Sequence, residues 1–139
     1  MRHVIRSVMR DCAVWTIGAL CPRRRPATTT EMTPEAWAKS YDSNLRGPVF
    51  LVQKALPHLK ASPAAAVLNM SSVGAFQFAP FVSMYAAGKS ALLSFTRSMA
   101  AAYAADGIRV NAIAPGPVDT DMVRNNPQAA IDAMAANTL

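Results

Sequence analysis

The stretch from Val67 to Lys89 reads VLNMSSVGAFQFAPFVSMYAAGK, and it determines how the rest of the chain is interpreted. It opens with an apolar run typical of a buried strand and then passes through a loop into a helix. Ser71 and Ser72 stand at the strand end, whereas Tyr85 and Lys89 are four residues apart on the helix and share one face. The stretch therefore predicts that a hydroxyl, a phenol and an ammonium group converge.

A helical region is predicted before this stretch. A helix should begin at Pro34, because Thr33 is a good N-cap and proline suits the first helical position. Pro48 has no amide hydrogen, so the helix should be irregular around Asn44 before it resumes and ends by Pro63. At that irregularity Asn44 either bonds locally to freed backbone groups or belongs to a site.

A second predicted strand lies after the stretch. Ser83 should cap the helix that carries Tyr85, and Gly107 suits a left-handed cap at its end. Residues 108–114, IRVNAIA, then read as another buried strand, followed by the loop PGPVDTD and a short helix from Pro127. Strand, helix and strand make a right-handed parallel crossover. Both loops follow carboxyl ends of strands, where ligands bind in open α/β sheets.

The loop before Tyr85 is unusually apolar. Phe76, Phe78 and Phe81 lie within six residues of each other. Such a loop is costly to leave in water, so it is expected either to wall a pocket for a partly apolar substrate or to pack on a partner.

Composition favours one globular domain: 139 residues, of which 52% are hydrophobic and 16% charged. The net charge of +6 is uneven, because residues 1–30 hold six Arg and one Asp, a net of +5, and leave +1 for the rest. That distribution argues against nucleic-acid binding. Cys12 and Cys21 fit no disulfide framework, and His3 and His58 have no ligand spacing, so no metal site is expected.

Residues 1–27 are interpreted as an aberrant basic segment outside the fold, and residues 28–139 as the folded domain. Arg2, Arg6 and Arg10 would give a basic amphipathic helix, as in a transit peptide. The run from Cys12 to Cys21 imitates the apolar core of a secretory signal but is too short to span a bilayer. A third reading, a mis-set start or frame change, fits because residues 22–26 match no periodicity.

Four motifs together resemble the short-chain dehydrogenase/reductase family. Tyr85 follows Ser72 by thirteen residues, and Lys89 follows Tyr85 by four. The other two motifs are Asn44 and the pattern Pro115-Gly116-x-Val118-x-Thr120. The resemblance covers roughly residues 28–125.

The resemblance implies a role for each of these residues. Tyr85 would be the general acid and base, Ser72 would polarise the substrate oxygen, and Asn44 would join a proton relay through water. Lys89 would promote ionisation of the tyrosine and hold the nicotinamide ribose. Cofactor contacts, to NAD or NADP, are implied for the following residues: Tyr85, Lys89, Pro115, Gly116, Val118 and Thr120. The implied reaction is hydride transfer between a nicotinamide and a small carbonyl compound or secondary alcohol.

The sequence also departs from the family pattern. Gly18 is the one glycine before Thr28, so the glycine-rich turn that holds the cofactor pyrophosphate is missing from these residues. The expected fold is α/β, a partial Rossmann-like doubly wound parallel sheet that lacks the N-terminal glycine-rich unit and the last strand. We expect no NADH or NADPH binding by the 139 residues alone.

Two functions follow from this pattern. The first is a cytoplasmic NAD(P)-dependent oxidoreductase, a homodimer or homotetramer when complete. The second is a catalytically inactive fragment that retains only helix-mediated oligomerisation. Neither implies a nucleic acid or a membrane as partner.

Overall fold

The computed structural model describes residues 13–16, 31–77 and 82–136. Three strands and five α-helices lie in the described residues, joined by a π-helical segment and two 3-10 turns. In chain order the elements are β1 Ala13–Thr16, α1 Pro34–Tyr41, the π segment Asp42–Arg46, α2 Gly47–Lys60, β2 Ala66–Met70, a 3-10 turn Val73–Ala75, α3 Ser83–Tyr103, a 3-10 turn Ala104–Asp106, β3 Arg109–Ile113, α4 Asp121–Arg124 and α5 Gln128–Ala136.

The strands form one parallel sheet in the order β1-β2-β3. Val67 of β2 is in register with Val110 of β3, and Met70 with Ile113, so the two strands end at the same sheet edge. Helix α3 connects β2 to β3. The predicted strand, helix, strand unit and the α/β class are therefore confirmed.

Strand β1 corrects part of the interpretation of residues 1–27. Ala13–Thr16 pairs in parallel with β2, with Val14 in register with Val67, so these four residues lie in the sheet. Each edge of β2 can form hydrogen bonds with a neighbouring strand. Residues 13–16 include β-branched and aromatic residues, which favour strands, so they can pair along the edge that β3 does not occupy. The rest of residues 1–27, including both cysteines, His3 and the repeated arginines, lies outside the described residues, and the domain boundary remains a prediction.

Helices α2 and α3 pack against one face of the sheet. Val67 and Val110 of that face pack with residues of α2 and α3 such as Val52, Leu59 and Met99 in the main core cluster. On β3 the alternate residues are exposed, and Ile113 is 43% exposed. The prediction of a buried strand over residues 108–114 is therefore confirmed only for one face of β3, that of Val110.

The helical region before β2 behaves as predicted. Thr33 caps α1, since its Oγ1 accepts a hydrogen bond from the Ala36 amide at 3.2 Å. The irregularity before Pro48 is the π segment, in which the Gly47 amide donates to the Asp42 carbonyl, five residues back. Helix α2 then continues through Pro57 to Lys60 and ends before Pro63.

Ser83 does not cap α3, contrary to the prediction. The Ala86 amide donates to the Val82 carbonyl at 2.9 Å, so Val82 is the N-cap and Ser83 is already the first helical residue. Its hydroxyl is buried and has no hydrogen-bond partner among the described residues. At the other end of the helix Gly107 has φ of 71°, as the sequence predicted.

Replacing Gly107 by Ala should lower the free energy of unfolding by about 1 kcal/mol. A Cβ there would meet no atom within 4 Å, so the cost comes from the left-handed backbone alone. Urea unfolding followed by circular dichroism measures it. Gly107→Asn is the matched control and should lose less, because Asn tolerates this conformation better. Equal losses in the two variants would contradict this explanation.

Candidate active site

The ends of β2 and β3 are joined beyond the strands themselves. The Ser71 amide donates to the Ile113 carbonyl at 2.8 Å, and the Val73 amide donates to the Pro115 carbonyl at 3.0 Å. The two loops that follow the strands are therefore held side by side, as expected for the ligand-binding edge of a parallel sheet.

The two adjacent serines differ in how their hydroxyls are used. Ser71 is 5% exposed, and its hydroxyl donates to the Lys89 carbonyl at 3.1 Å. Ser72 is half-buried, and its Oγ accepts from the Gly74 amide at 3.2 Å, which begins the 3-10 turn. Because Ser72 acts as acceptor in that bond, its own hydroxyl hydrogen can be donated to another group. The hydroxyl hydrogen of Ser71, in contrast, is already donated within the protein.

Gly74 lies between Ser72 and Tyr85. A Cβ built on Gly74 would stand 3.5 Å from Ser72 Oγ and 3.9 Å from Tyr85 Cε1. Both side chains thus lie within 4 Å of one point, although thirteen residues separate them in sequence. The absence of a side chain at residue 74 keeps the space between them open.

Lys89 is buried beside Tyr85. The residue is 1% exposed, its Nζ lies 5.7 Å from the centre of the Tyr85 ring, and this nitrogen donates to the Met70 carbonyl at 2.6 Å. Burial lowers the pKa of Lys89 below its ordinary value. The structure thus holds a buried cation beside the Tyr85 ring.

Asn44 is buried in the π segment. Its Nδ2 donates to the Ser40 carbonyl at 2.9 Å, which is the local backbone bond that the sequence suggested. Its Oδ1 is buried without a hydrogen-bond donor among the described residues. A Cβ on Gly88, the residue before Lys89, would stand 3.5 Å from Asn44 Cβ. Asn44 therefore packs against the turn of α3 that carries Lys89.

The loop after β3 adjoins Ser72 through Val73. A Cβ on Gly116 would stand 4.0 Å from Val73 Cγ1, which places Pro115 and Gly116 beside the 3-10 turn. Val118 is 57% exposed and Thr120 is also exposed. An ion pair holds the far end of the loop, because Arg124 Nε and Asp119 Oδ1 are 2.7 Å apart.

The apolar loop before Tyr85 is described only in part. Phe76 is 72% exposed, so it walls no pocket among the described residues. Phe78 and Phe81 lie outside the described residues, and their expected role remains a prediction.

Two hydrogen bonds of this site were not predicted from the sequence. One is the bond from Ser71 to the Lys89 backbone, and the other is the bond that the Met70 carbonyl accepts from Lys89. The adjacent serines at the strand end indicated that either hydroxyl could take part in the site. The partner of Ser71, however, depends on how α3 packs on β2. A further bond between β2 and α3 is made by Asn69, whose Nδ2 donates to Thr96 Oγ1 at 2.9 Å.

The described residues also bear on membrane spans and on metal sites. None of the helices in this part of the chain is both long enough and apolar enough to span a membrane. No group of three or more potential metal-ligating side chains occurs in the same residues.

Comparison with known proteins finds similarity over most of this chain. Residues 8–139 match the family model described as enoyl-(acyl carrier protein) reductase. The cis-4-hydroxycyclohexanecarboxylate dehydrogenase of Sinomonas cyclohexanicum is 38% identical over 106 residues, which are 76% of this chain and 43% of that protein. The short-chain dehydrogenase/reductase FrzI of Cladobotryum is 44% identical over 94 residues, 67% of this chain and 36% of that protein.

A solved structure shows the same fold. The 3-oxoacyl-[acyl-carrier protein] reductase of Brucella melitensis superposes with a TM-score of 0.78 at 31% identity, covering 86% of this chain and 46% of that one. A structure described as such a reductase with bound NAD, from the same species, gives a TM-score of 0.75 at 30% identity. The chain spans less than half the length of each of these relatives. The extent of the family match, together with the shared fold, shows that this chain belongs to the short-chain dehydrogenase/reductase family.

Proposed function

We propose that this chain carries the proton-handling half of an oxidoreductase site, which interconverts a carbonyl compound and a secondary alcohol with a nicotinamide cofactor. The observation that carries the proposal is the placement of the buried Lys89 ammonium 5.7 Å from the Tyr85 ring, with Ser72 across Gly74 from the same ring. Three groups with complementary proton chemistry share one small space at the ligand-binding edge of the sheet.

Each side chain has a distinct part in the proposed reaction. The Tyr85 phenol gives its proton to the substrate oxygen during reduction and takes one back during oxidation. Ser72 donates a hydrogen bond to the same oxygen, so charge that develops there is stabilised as the carbon centre changes. Lys89 supplies a fixed positive charge 5.7 Å from the centre of the Tyr85 ring, where it stabilises negative charge that develops in the site during proton transfer.

The described residues fit the nicotinamide end of a cofactor. Lys89 is a three-hydrogen donor with one hydrogen bonded to Met70, which leaves two for ribose hydroxyls. Val118 offers an exposed apolar surface, and the Pro115–Thr120 loop lies next to Ser72 through Val73. When bound, the cofactor supplies or accepts the hydride. No glycine-rich phosphate-binding pattern occurs in the sequence, so the pyrophosphate end has no holder among these residues.

Asn44 is proposed to bind a water molecule of a proton relay. Its buried Oδ1 has no donor among the described residues, and a buried amide oxygen normally accepts a hydrogen bond. Its contact with Gly88 puts it one residue from Lys89.

The proposed function is tested with a chimera, in which this chain replaces the segment it matches in the Brucella melitensis reductase. The reductase then supplies the cofactor-binding parts, and every proton-handling side chain comes from this chain. We expect the chimera to oxidise NADH or NADPH in the presence of a panel of ketones and aldehydes. A folded chimera that binds cofactor, shown by fluorescence titration, and that reduces none of the panel would contradict the proposal.

Self-association through the long helices is a further part of this proposal. Phe50 and Leu51 on α2 and Phe95 on α3 are more than two-fifths exposed, which is costly in water. We expect sedimentation equilibrium to show a dimer or tetramer, and Phe95→Glu to shift it towards monomer. Ser94→Glu is the matched control, since it adds the same charge one residue away without removing the ring. A monomeric parent chain, or equal shifts in the two variants, would rule out this face.

A further inference from the structure

Lys89 is held at both ends by consecutive residues of the β2 terminus. Its ammonium donates to the Met70 carbonyl at 2.6 Å, and its backbone carbonyl accepts from the Ser71 hydroxyl at 3.1 Å. Lys89 donates one of these hydrogen bonds and accepts the other. Residues 70, 71 and 89 therefore form a hydrogen-bonded ring between the end of β2 and α3.

Both participants are shielded from water. Lys89 is 1% exposed and Ser71 is 5% exposed. A lysine side chain is long and flexible, and its charged end normally extends to solvent. Here the carbonyl of Met70 keeps the ammonium inside, and this requires that the Lys89 backbone stay at a fixed distance from the end of β2. The Ser71 hydroxyl makes the contact that sets this distance.

We propose that Ser71 is a positioning residue, whose hydroxyl fixes the Lys89 backbone so that the ammonium stays between the Met70 carbonyl and the Tyr85 ring. The importance of that position for turnover rests on the proposed function. The position of the ammonium does not itself depend on the proposed function, and it can be measured without a catalytic assay.

A second buried bond between the same elements provides a comparison. Asn69 Nδ2 donates to Thr96 Oγ1 at 2.9 Å, and Thr96 is 6% exposed. This bond also ties β2 to α3, seven residues after Lys89, but involves no side chain of the site. If β2–α3 bonds were merely structural, loss of either one would affect Lys89 to a similar extent.

The test is a nuclear magnetic resonance titration of Lys89 in the 139-residue chain, labelled with ¹³C at lysine Cε. A Tyr85→Phe background is used so that titration of the neighbouring phenol does not contribute. We expect Ser71→Ala to move the Lys89 titration upwards, towards the value of an exposed lysine, because the released ammonium becomes hydrated. Ser71→Thr, which keeps a hydroxyl, and Thr96→Val, which breaks the comparison bond, should leave it where it is in the parent.

Several results would overturn the proposal. One is a folded Ser71→Ala variant whose Lys89 titrates as in the parent, and another is a shift of equal size in Thr96→Val. If Ser71→Ala does not fold, Ser71→Cys keeps the volume with a much weaker donor, and it should shift Lys89 in the same upward direction. An unchanged titration in that variant also refutes the role of Ser71. An inactive chimera would leave all of these outcomes intact, so the two proposals fail separately.

Discussion

Replacement of Tyr85 by Phe in the chimera is expected to lower turnover about 10²–10⁴-fold, the usual contribution of a positioned general acid or base. The phenyl ring keeps the contact with Lys89, which is 5.7 Å from the ring centre, and the packing against Gly74. Only the hydroxyl that exchanges a proton with the substrate oxygen is lost. Affinity for the cofactor should therefore stay nearly the same, and steady-state rates with a fluorescence titration of cofactor measure both quantities.

Tyr103→Phe is the control for this variant. Tyr103 is the last residue of the same helix and packs against the core cluster, away from the end that holds Lys89. Its loss of a hydroxyl should leave turnover unchanged. Retained turnover in Tyr85→Phe, with the control also active, would remove Tyr85 from the proton-transfer role.

Replacement of Lys89 by Met is expected to have the second large effect. It should lower the turnover of the chimera but should not lower the stability of the 139-residue chain. Without the ammonium the site loses the positive charge that lies 5.7 Å from the Tyr85 ring centre, so turnover of the chimera should fall about 10²–10³-fold. In the 139-residue chain, Met fills a similar volume and removes a buried charge. At neutral pH the variant should be at least as stable as the parent in urea unfolding.

The pH dependence of that stability difference has a definite sign. Burial lowers the folded-state pKa of Lys89 below its ordinary value of 10.5. Between the two values the unfolded chain binds a proton that the folded chain does not, so the parent gains stability as the pH rises through this window. Below the folded-state pKa of Lys89, burial of the ammonium lowers the free energy of unfolding of the parent by its full amount. The advantage of Lys89→Met should therefore shrink as the pH approaches 10.5.

Lys54→Met serves as control, because Lys54 is exposed on α2. Its stability relative to the parent should stay constant across the same pH range. A parallel pH dependence of Lys89→Met and Lys54→Met would show that the Lys89 ammonium is not buried as described.

The parts of the fold that the sequence predicted are those with local signals. Thr33 followed by Pro34 caps a helix through contacts within one turn, and Gly107 supplies a left-handed residue at a helix end. Strand β1 has no comparable signal, since Ala13–Thr16 is four residues long and becomes a strand by pairing with β2. Ser83 was misplaced by one position, because the backbone bond from Ala86 to Val82 starts the helix earlier than the side-chain preference suggested.

In the candidate site, too, only those features that depend on local sequence spacing could be predicted. Tyr85 and Lys89 share a helix face by spacing alone, and Ser72 follows a strand, so their approach could be expected from the sequence. The partner of Ser71 could not be, because its bond to Lys89 joins residues eighteen positions apart through the packing of α3 on β2. The open space left by Gly74 likewise depends on where the Tyr85 ring lies in three dimensions.

Isotope transfer in the chimera tests the central claim most directly. The cofactor is deuterated at the transferable position of its nicotinamide ring, and the alcohol formed from each ketone of the panel is analysed by mass spectrometry. We predict that deuterium appears on the carbinol carbon of the product and that Tyr85→Phe suppresses its formation. A folded chimera that binds the cofactor but transfers no deuterium, or one that transfers it equally well without the Tyr85 hydroxyl, would contradict the account.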